Sequence, residues 1–189
     1  MELDALRNRP VARTSGEFTP AAVLIPLITD SNERTLLFTR RAPDLDDHPG
    51  QISFPGGRQE PRDTDLTETA LREAEEEIGL DPQQCVLHGT LDPITTVTGF
   101  EVLPFVGEIP HGPFRPNPRE VAEILTVPVE ELLAEQNYEA STRGHPERGE
   151  ILVHYFHVDG TTIWGATARI LVQLLDLTYG WQPPAADGG

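Results

Sequence analysis

Residues 56–80 read GGRQEPRDTDLTETALREAEEEIGL, a glycine pair and a polar turn followed by a run with helical spacing. Leu66, Ala70, Leu71, Ala74 and Ile78 recur at steps of one, three and four, which predicts a helix with one apolar stripe, and Gly79 supplies its stop. Glu73, Glu76 and Glu77 stand at i, i+3 and i+4 and so share another face. Like charges at that spacing repel by ~0.2–0.5 kcal/mol per pair, so the cluster lowers stability unless a cation sits on it. Hard oxygen ligands with no His or Cys beside them favour magnesium or manganese over zinc, and magnesium binds through one or two carboxylates together with substrate phosphate. Taken alone, such a helix also reads as a solvated acidic face.

The context of the helix decides between these readings. FPGG lies immediately upstream, and Arg72-Glu73 is followed in fixed order by Glu76-Glu77, Gly79 and Leu80. In this order the residues closely resemble the Nudix box, G-x5-E-x7-R-E-U-x-E-E-x-G-U, the loop-helix-loop of hydrolases that cleave nucleoside diphosphates linked to another moiety. Gly57, Arg72, Glu73, Glu76, Glu77, Gly79 and Leu80 fall on its fixed positions, with Ala74 where a larger apolar residue is common. Between Gly57 and Arg72 the chain has one residue more than the pattern, and the first acid is matched by Asp63, with Glu60 nearby. The resemblance implies an α/β fold, a Nudix-type α/β/α sandwich with a mixed central sheet. It also implies that Glu73, Glu76 and Glu77 hold Mg2+ or Mn2+, that the Gly57 carbonyl reaches a metal, and that Arg72 orients the carboxylates.

The region before the box, LFTRRAPDLDDHPGQISFPGG at 37–57, resembles the signature L-L-T-x-R-S-x3-R-x3-G-x3-F-P-G-G of the coenzyme A pyrophosphatase branch. Thr39, Arg41, Gly50, Phe54, Pro55, Gly56 and Gly57 match; Phe38 replaces a leucine, Ala42 the serine, and Asp46 the second arginine. TIWGATARIL at 162–171 is similar to a segment near the C-terminus of the same proteins, and NPREVAEI at 117–124 resembles the place where Nudix enzymes put an additional acid. Glu120 and Glu123 are therefore candidates for a late metal ligand or base, with ordinary solvated glutamates as the equal alternative, and Glu120 and a box glutamate rank equally as general base. Arg41, Gly56 and Gly57 are the expected substrate-facing residues, while Trp164 and Arg169 read as a core aromatic and a helix cation. With coenzyme A or an acyl derivative the products would be (acyl-)4′-phosphopantetheine and 3′,5′-ADP. Two other readings stand beside this one: a Nudix enzyme for ADP-ribose, NADH or a nucleoside triphosphate, and a non-catalytic ligand-binding Nudix domain. Retention of all three box glutamates disfavours the second.

The rest of the chain frames this motif. Its 189 residues suit one domain, 1–189, with a polar arm over about 1–18 and a frayed tail over about 181–189. A net charge of −17 argues against nucleic acid or an anionic membrane as partner, and it makes the arginines, the only basic residues besides histidine, matter for an anionic substrate. The single Cys85 excludes an internal disulfide and reads as a small buried hydrophobe. No apolar run approaches a signal peptide or a membrane span, so a soluble cytoplasmic protein is expected, with homodimer formation left open. AAVLIPLI (21–28), TLLFTR, QCVLHGTL, ITTVTG, EVLPFVGEI and ILVHYFHV read as strands. VPVEELLAEQ reads as a short helix and the segment after Trp164 as the last one, with 139–150 as a mobile loop or hairpin tip.

Overall fold

The computed structural model describes residues 3–7, 17–30, 33–45, 48–145 and 149–184. In chain order the elements are α1 (Asp4–Arg7), β1 (Thr19–Asp30), β2 (Glu33–Arg41), β3 (Ile52–Ser53), β4 (Gly56–Arg58), α2 (Leu66–Ile78), β5 (Val86–Thr90) and β6 (Ile94–Thr95). They continue with β7 (Phe100–Ile109), β8 (Val121–Pro128), α3 (Val129–Leu133), β9 (Tyr138–His145), β10 (Gly149–Val158), β11 (Thr161–Trp164) and α4 (Gly165–Tyr179).

The apolar run at 21–28 becomes the middle of β1, and its side chains alternate between two cores. Ala22, Leu24 and Ile28 pack with Ala70, Ala74 and Ile78 of α2, whereas Ile25 and Leu27 pack with Ile170, Leu171, Leu174 and Leu175 of α4. A strand covered on both faces must be apolar throughout, which is why the run does not alternate with polar residues. β1 pairs parallel with β7 and antiparallel with β2 and β4, so the central sheet is mixed, with the order β3-β2-β1-β7-β5. The expected α/β/α sandwich forms, with one addition: β9, β10 and β11 make a separate three-stranded sheet whose Phe156, Val158 and Ile163 join the core on the α4 side.

Midway along, β1 changes partner. Leu27–Asp30 pair with β2, and Ala21–Val23 pair with β4, which carries the glycine pair to the base of α2. Gly56 fits because of close approach: a Cβ there would stand 2.4 Å from the Ala22 carbonyl oxygen.

Several expectations need correction. The alternating ITTVTG is a strand only at Ile94–Thr95; Thr96 then closes a turn through its backbone and hydroxyl to Phe100, and Val97 is exposed. β8 occupies 121–128, and the helix expected from Val127 begins only at Val129. Of the two readings of the polar 139–150 stretch, the hairpin holds: it forms the end of β9 and β10, whose tip at 146–148 lies outside the described residues. The tail does not fray at Trp181, whose ring meets Tyr138 edge-on at 5.2 Å and lies 5.9 Å from Phe156. In the N-terminal arm Leu6 is buried in the core, while 8–16 lie outside the described residues, as do Asp46 and 185–189. Trp164 is exposed, not a core aromatic.

Candidate metal centre

α2 begins and ends where its residues dictate. Asp65 caps it by accepting from the Glu68 amide at 3.0 Å, and Gly79, at φ 69°, closes it with its amide on Glu75. Between these caps Ala70, Ala74 and Ile78 are buried, Leu66 and Leu71 are half-buried, and Glu76 is exposed. Glu77 departs from a solvated face: it is only 5% exposed. The helix therefore drives one carboxylate inward, at the end where the 115–120 loop joins it. Arg115 and Asn117 donate their amides to the Ile78 and Glu77 carbonyls, both at 2.9 Å, and the Asn117 side chain donates to Glu120 at 3.2 Å. Ala42, just beyond β2, donates to the Glu120 carbonyl at 2.8 Å.

These bonds assemble three acids from distant parts of the chain. Glu73, Glu77 and Glu120 each present a carboxylate oxygen within 4.8 Å of the others. Burial, and then the neighbouring charges of Glu73 and Glu120, push the Glu77 carboxyl up to about 8, against the opposing Arg41 charge and a hydrogen bond from the Gly56 amide. Burial also raises Glu73, with Arg72 opposing it. Glu77 Oε2 is buried with no hydrogen-bond partner among the described residues. An unsatisfied oxygen in a converging all-carboxylate set fits a hard divalent cation such as magnesium or manganese, which supplies the missing positive partner. Gly57 keeps the space open, since a Cβ there would meet Glu73 Oε1 at 2.5 Å.

Glu76 and Glu123, expected near the metal face, are not brought into this cluster. Glu76 is held between Arg62 at 2.8 Å and Arg72 at 3.0 Å, and Glu123 pairs with Arg40 at 2.9 Å. Arg72 does orient carboxylates: one nitrogen, Nη1, donates to both Glu73 and Glu76. It is itself held by Asp63, through Nε at 2.9 Å and Nη2 at 3.0 Å, and Asp63 also accepts from the Glu60 amide and the Thr69 hydroxyl. Asp63 thus fills the place of the displaced first acid. The signal was present in the sequence, as an acid nine residues before Arg72 with a Thr six residues after it. Cys85 takes no part; burial pushes its thiol up to about 11, which suits a packing residue and not a nucleophile.

A family model for the NUDIX domain matches residues 18–156. The chain belongs to the Nudix hydrolase family. It is 41% identical over 169 residues to an uncharacterized Nudix hydrolase, NudL, of Photorhabdus laumondii, a match that covers 87% of this chain and 88% of that one. A NudL of Yersinia pestis is 42% identical over 155 residues, covering 82% of this chain and 77% of its relative. Among solved structures, the Nudix hydrolase RenU of M. smegmatis superposes with a TM-score of 0.51 at 22% identity, over 60% of this chain and 73% of that chain. At those identities the likeness to solved Nudix structures speaks for the fold.

For a Nudix hydrolase with this centre, magnesium or manganese alone should raise the melting temperature. Metal binds the folded cluster and not the unfolded chain, and a hundredfold excess over Kd stabilises by roughly 2.7 kcal/mol. Thermal melts with chelator and with millimolar magnesium check this. An unchanged curve would remove the preformed site.

Proposed function

We propose that this Nudix hydrolase cleaves the pyrophosphate bond of coenzyme A or acyl-coenzyme A, giving (acyl-)4′-phosphopantetheine and 3′,5′-ADP. The observation that carries the reading is a meeting of two motifs. The 37–57 segment that resembles the coenzyme A signature ends in Gly56 and Gly57, which abut Glu77 and Glu73, and its Arg41 is a charge neighbour of Glu77. The residues that resemble a substrate signature and the acids that fit a metal therefore occupy one place.

Glu73, Glu77 and Glu120, with the Gly57 carbonyl, would hold Mg2+ or Mn2+. When bound, the metal neutralises phosphate charge and lowers the pKa of water. The chain supplies the rest. Asp63 fixes Arg72, Arg72 sets the rotamers of Glu73 and Glu76, and Arg62 holds the far side of Glu76. A carboxylate, Glu120 or one of the box glutamates, accepts the proton of the attacking water. Arg41, whose charge acts on Glu77, would meet substrate phosphate, the task for which a bidentate guanidinium is suited. In a protein with a net charge of −17, that cation and the metal together bring a polyphosphate to an acidic surface.

The test compares coenzyme A, dephospho-coenzyme A, ADP-ribose, NADH and nucleoside triphosphates under equal magnesium. Coenzyme A or an acyl derivative should give the highest kcat/KM, dephospho-coenzyme A a lower one, and Arg41→Ala should shrink that difference. Faster ADP-ribose cleavage would overturn the coenzyme A assignment, and it is ADP-ribose that the Nudix domain of Shewanella oneidensis NrtR binds in its solved complex, at 18% identity and a TM-score of 0.50.

A further inference from the structure

Glu73 and Glu77 share one helix, which fixes their backbones, but Glu120 reaches the cluster from the loop just before β8. Side chains on loops are held less precisely than those on helices, and this one must also stand against the charges of two neighbouring carboxylates. Something in the loop has to hold it there.

The segment Pro116-Asn117-Pro118-Arg119-Glu120 contains the means. Asn at the first position and Pro at the second suit a β-turn, and the Asn117 carbonyl accepts the Glu120 amide at 3.0 Å and the Val121 amide at 2.7 Å. The Asn117 side chain closes a second ring inside that turn, its Oδ1 accepting the Arg119 amide at 3.2 Å. This bond uses the amide oxygen and leaves the Nδ2 end for Glu120, to whose Oε1 it donates at 3.2 Å. A flipped amide would set its oxygen against a carboxylate and its NH2 against an N–H, so both bonds favour the same orientation. Finally, the Asn117 backbone amide donates to the Glu77 carbonyl at 2.9 Å. One residue is thus tied to the last turn of α2 and to both the main chain and the carboxylate of Glu120.

We propose that Asn117 is a positioning residue of the metal centre: it brackets the 117–120 turn to the Glu77 end of α2 and sets the Glu120 carboxylate against Glu73 and Glu77. This rests on the reading above only in that Glu73, Glu77 and Glu120 hold the metal, and it is independent of the substrate. Loss of a hydrogen bond that orients a metal-binding side chain typically costs roughly 10- to 100-fold in metal affinity.

Asn117→Ser separates the two tasks of the side chain. Its hydroxyl can still accept the Arg119 amide but is too short to reach Glu120, and the main-chain bonds remain. Mn2+ binding, followed without substrate by the EPR signal of the free ion, should weaken by roughly 10- to 100-fold, while the melting temperature in chelator stays near that of the wild type. Asn117→Ala, which also gives up the Arg119 bond, should weaken binding no further. In a Glu120→Gln background, Asn117→Ser should add little, because the charge it holds in place is gone. Unchanged Mn2+ affinity in Asn117→Ser beside a weakened Glu120→Gln would overturn this proposal alone. An alanine variant much weaker than the serine one, an equal loss in both backgrounds, or a serine variant that melts far below the wild type would overturn it by reducing Asn117 to a support of the loop. Unaltered Mn2+ affinity in Glu120→Gln would instead remove Glu120 from the metal set, and both readings would fall together.

Discussion

Glu77→Gln should lower magnesium-supported turnover by roughly two to four orders of magnitude, the scale on which loss of a positioned catalytic or electrostatic group acts. The same substitution should raise the metal-free melting temperature at alkaline pH. The folded-state pKa of Glu77 is raised to about 8, chiefly by burial, whereas an unfolded glutamate titrates near its ordinary value of ~4.3. The folded protein keeps a proton that the unfolded chain releases, so the stability associated with neutral Glu77 is full below the unfolded pKa, declines as pH rises, and is gone above about 8. Glutamine is neutral throughout and escapes that decline. In chelator, the variant should therefore melt above the wild type at pH 8, and the gap should close toward pH 4. Magnesium should reverse the order by stabilising only the wild type. Near-full activity in Glu77→Gln, or a lower metal-free melting temperature at pH 8, would show that Glu77 is not the strained member of the centre.

How far this centre was legible in the sequence differs residue by residue, and the differences have physical causes. The helix over 66–78 was readable because its signals are local: an Asp65 cap, an apolar stripe at helical spacing and a Gly79 stop. Glu73 and Glu77 could be grouped from spacing alone, since i and i+4 share a face. By the same rule Glu76 joined them, and one Arg72 nitrogen does bond Glu73 and Glu76 together, but Glu76 stands outside the converging set of Glu73, Glu77 and Glu120. Which of two adjacent glutamates turns inward depends on what covers the helix, and the 115–120 loop, bonded to the last turn of α2, covers Glu77 and not Glu76. Glu120 came from family resemblance, not from periodicity. It closes the loop just before β8, and that strand has no clean alternation either, because its middle residues Ala122 to Thr126 are exposed or half-buried. ITTVTG erred in the opposite sense: an alternating pattern with high β-propensity ends after two residues because Thr96 and Gly99 form a turn instead. Trp164 was misjudged by composition, which favours burial of tryptophan but cannot see that its strand turns that side chain outward.

Removing Asp63 should disable the centre from a distance. Asp63→Ala is expected to destabilise the fold by about 3 kcal/mol, at the lower end of the cost of breaking a buried pair, because Asp63 is shielded by its own partners close beneath the surface. The side chains involved are 1% exposed for Asp63 and 11% for Arg72, so water cannot replace the lost partner easily. Arg72 would keep Glu73 and Glu76 as ligands but lose the two bonds that fix its plane. Turnover should then fall by more than the melting shift explains, because Glu73 loses a fixed orientation within the cluster. Asp63→Asn separates charge from shape: it can keep the Thr69 contact but not a charge-assisted pair with Arg72. The Arg72 hydrogen bonds hold the Asp63 carboxyl well below the usual carboxylate range, outweighing burial. A depressed folded-state pKa contributes stability that is present above the unfolded value of ~3.9 and is lost as pH falls toward the folded one. Wild-type melting temperature should accordingly drop below about pH 4, with that part of the acid limb flattened in Asp63→Asn. Parallel acid limbs in the two proteins, or full magnesium-dependent activity in Asp63→Ala at a temperature where it is folded, would mean that Arg72 is positioned by the helix alone.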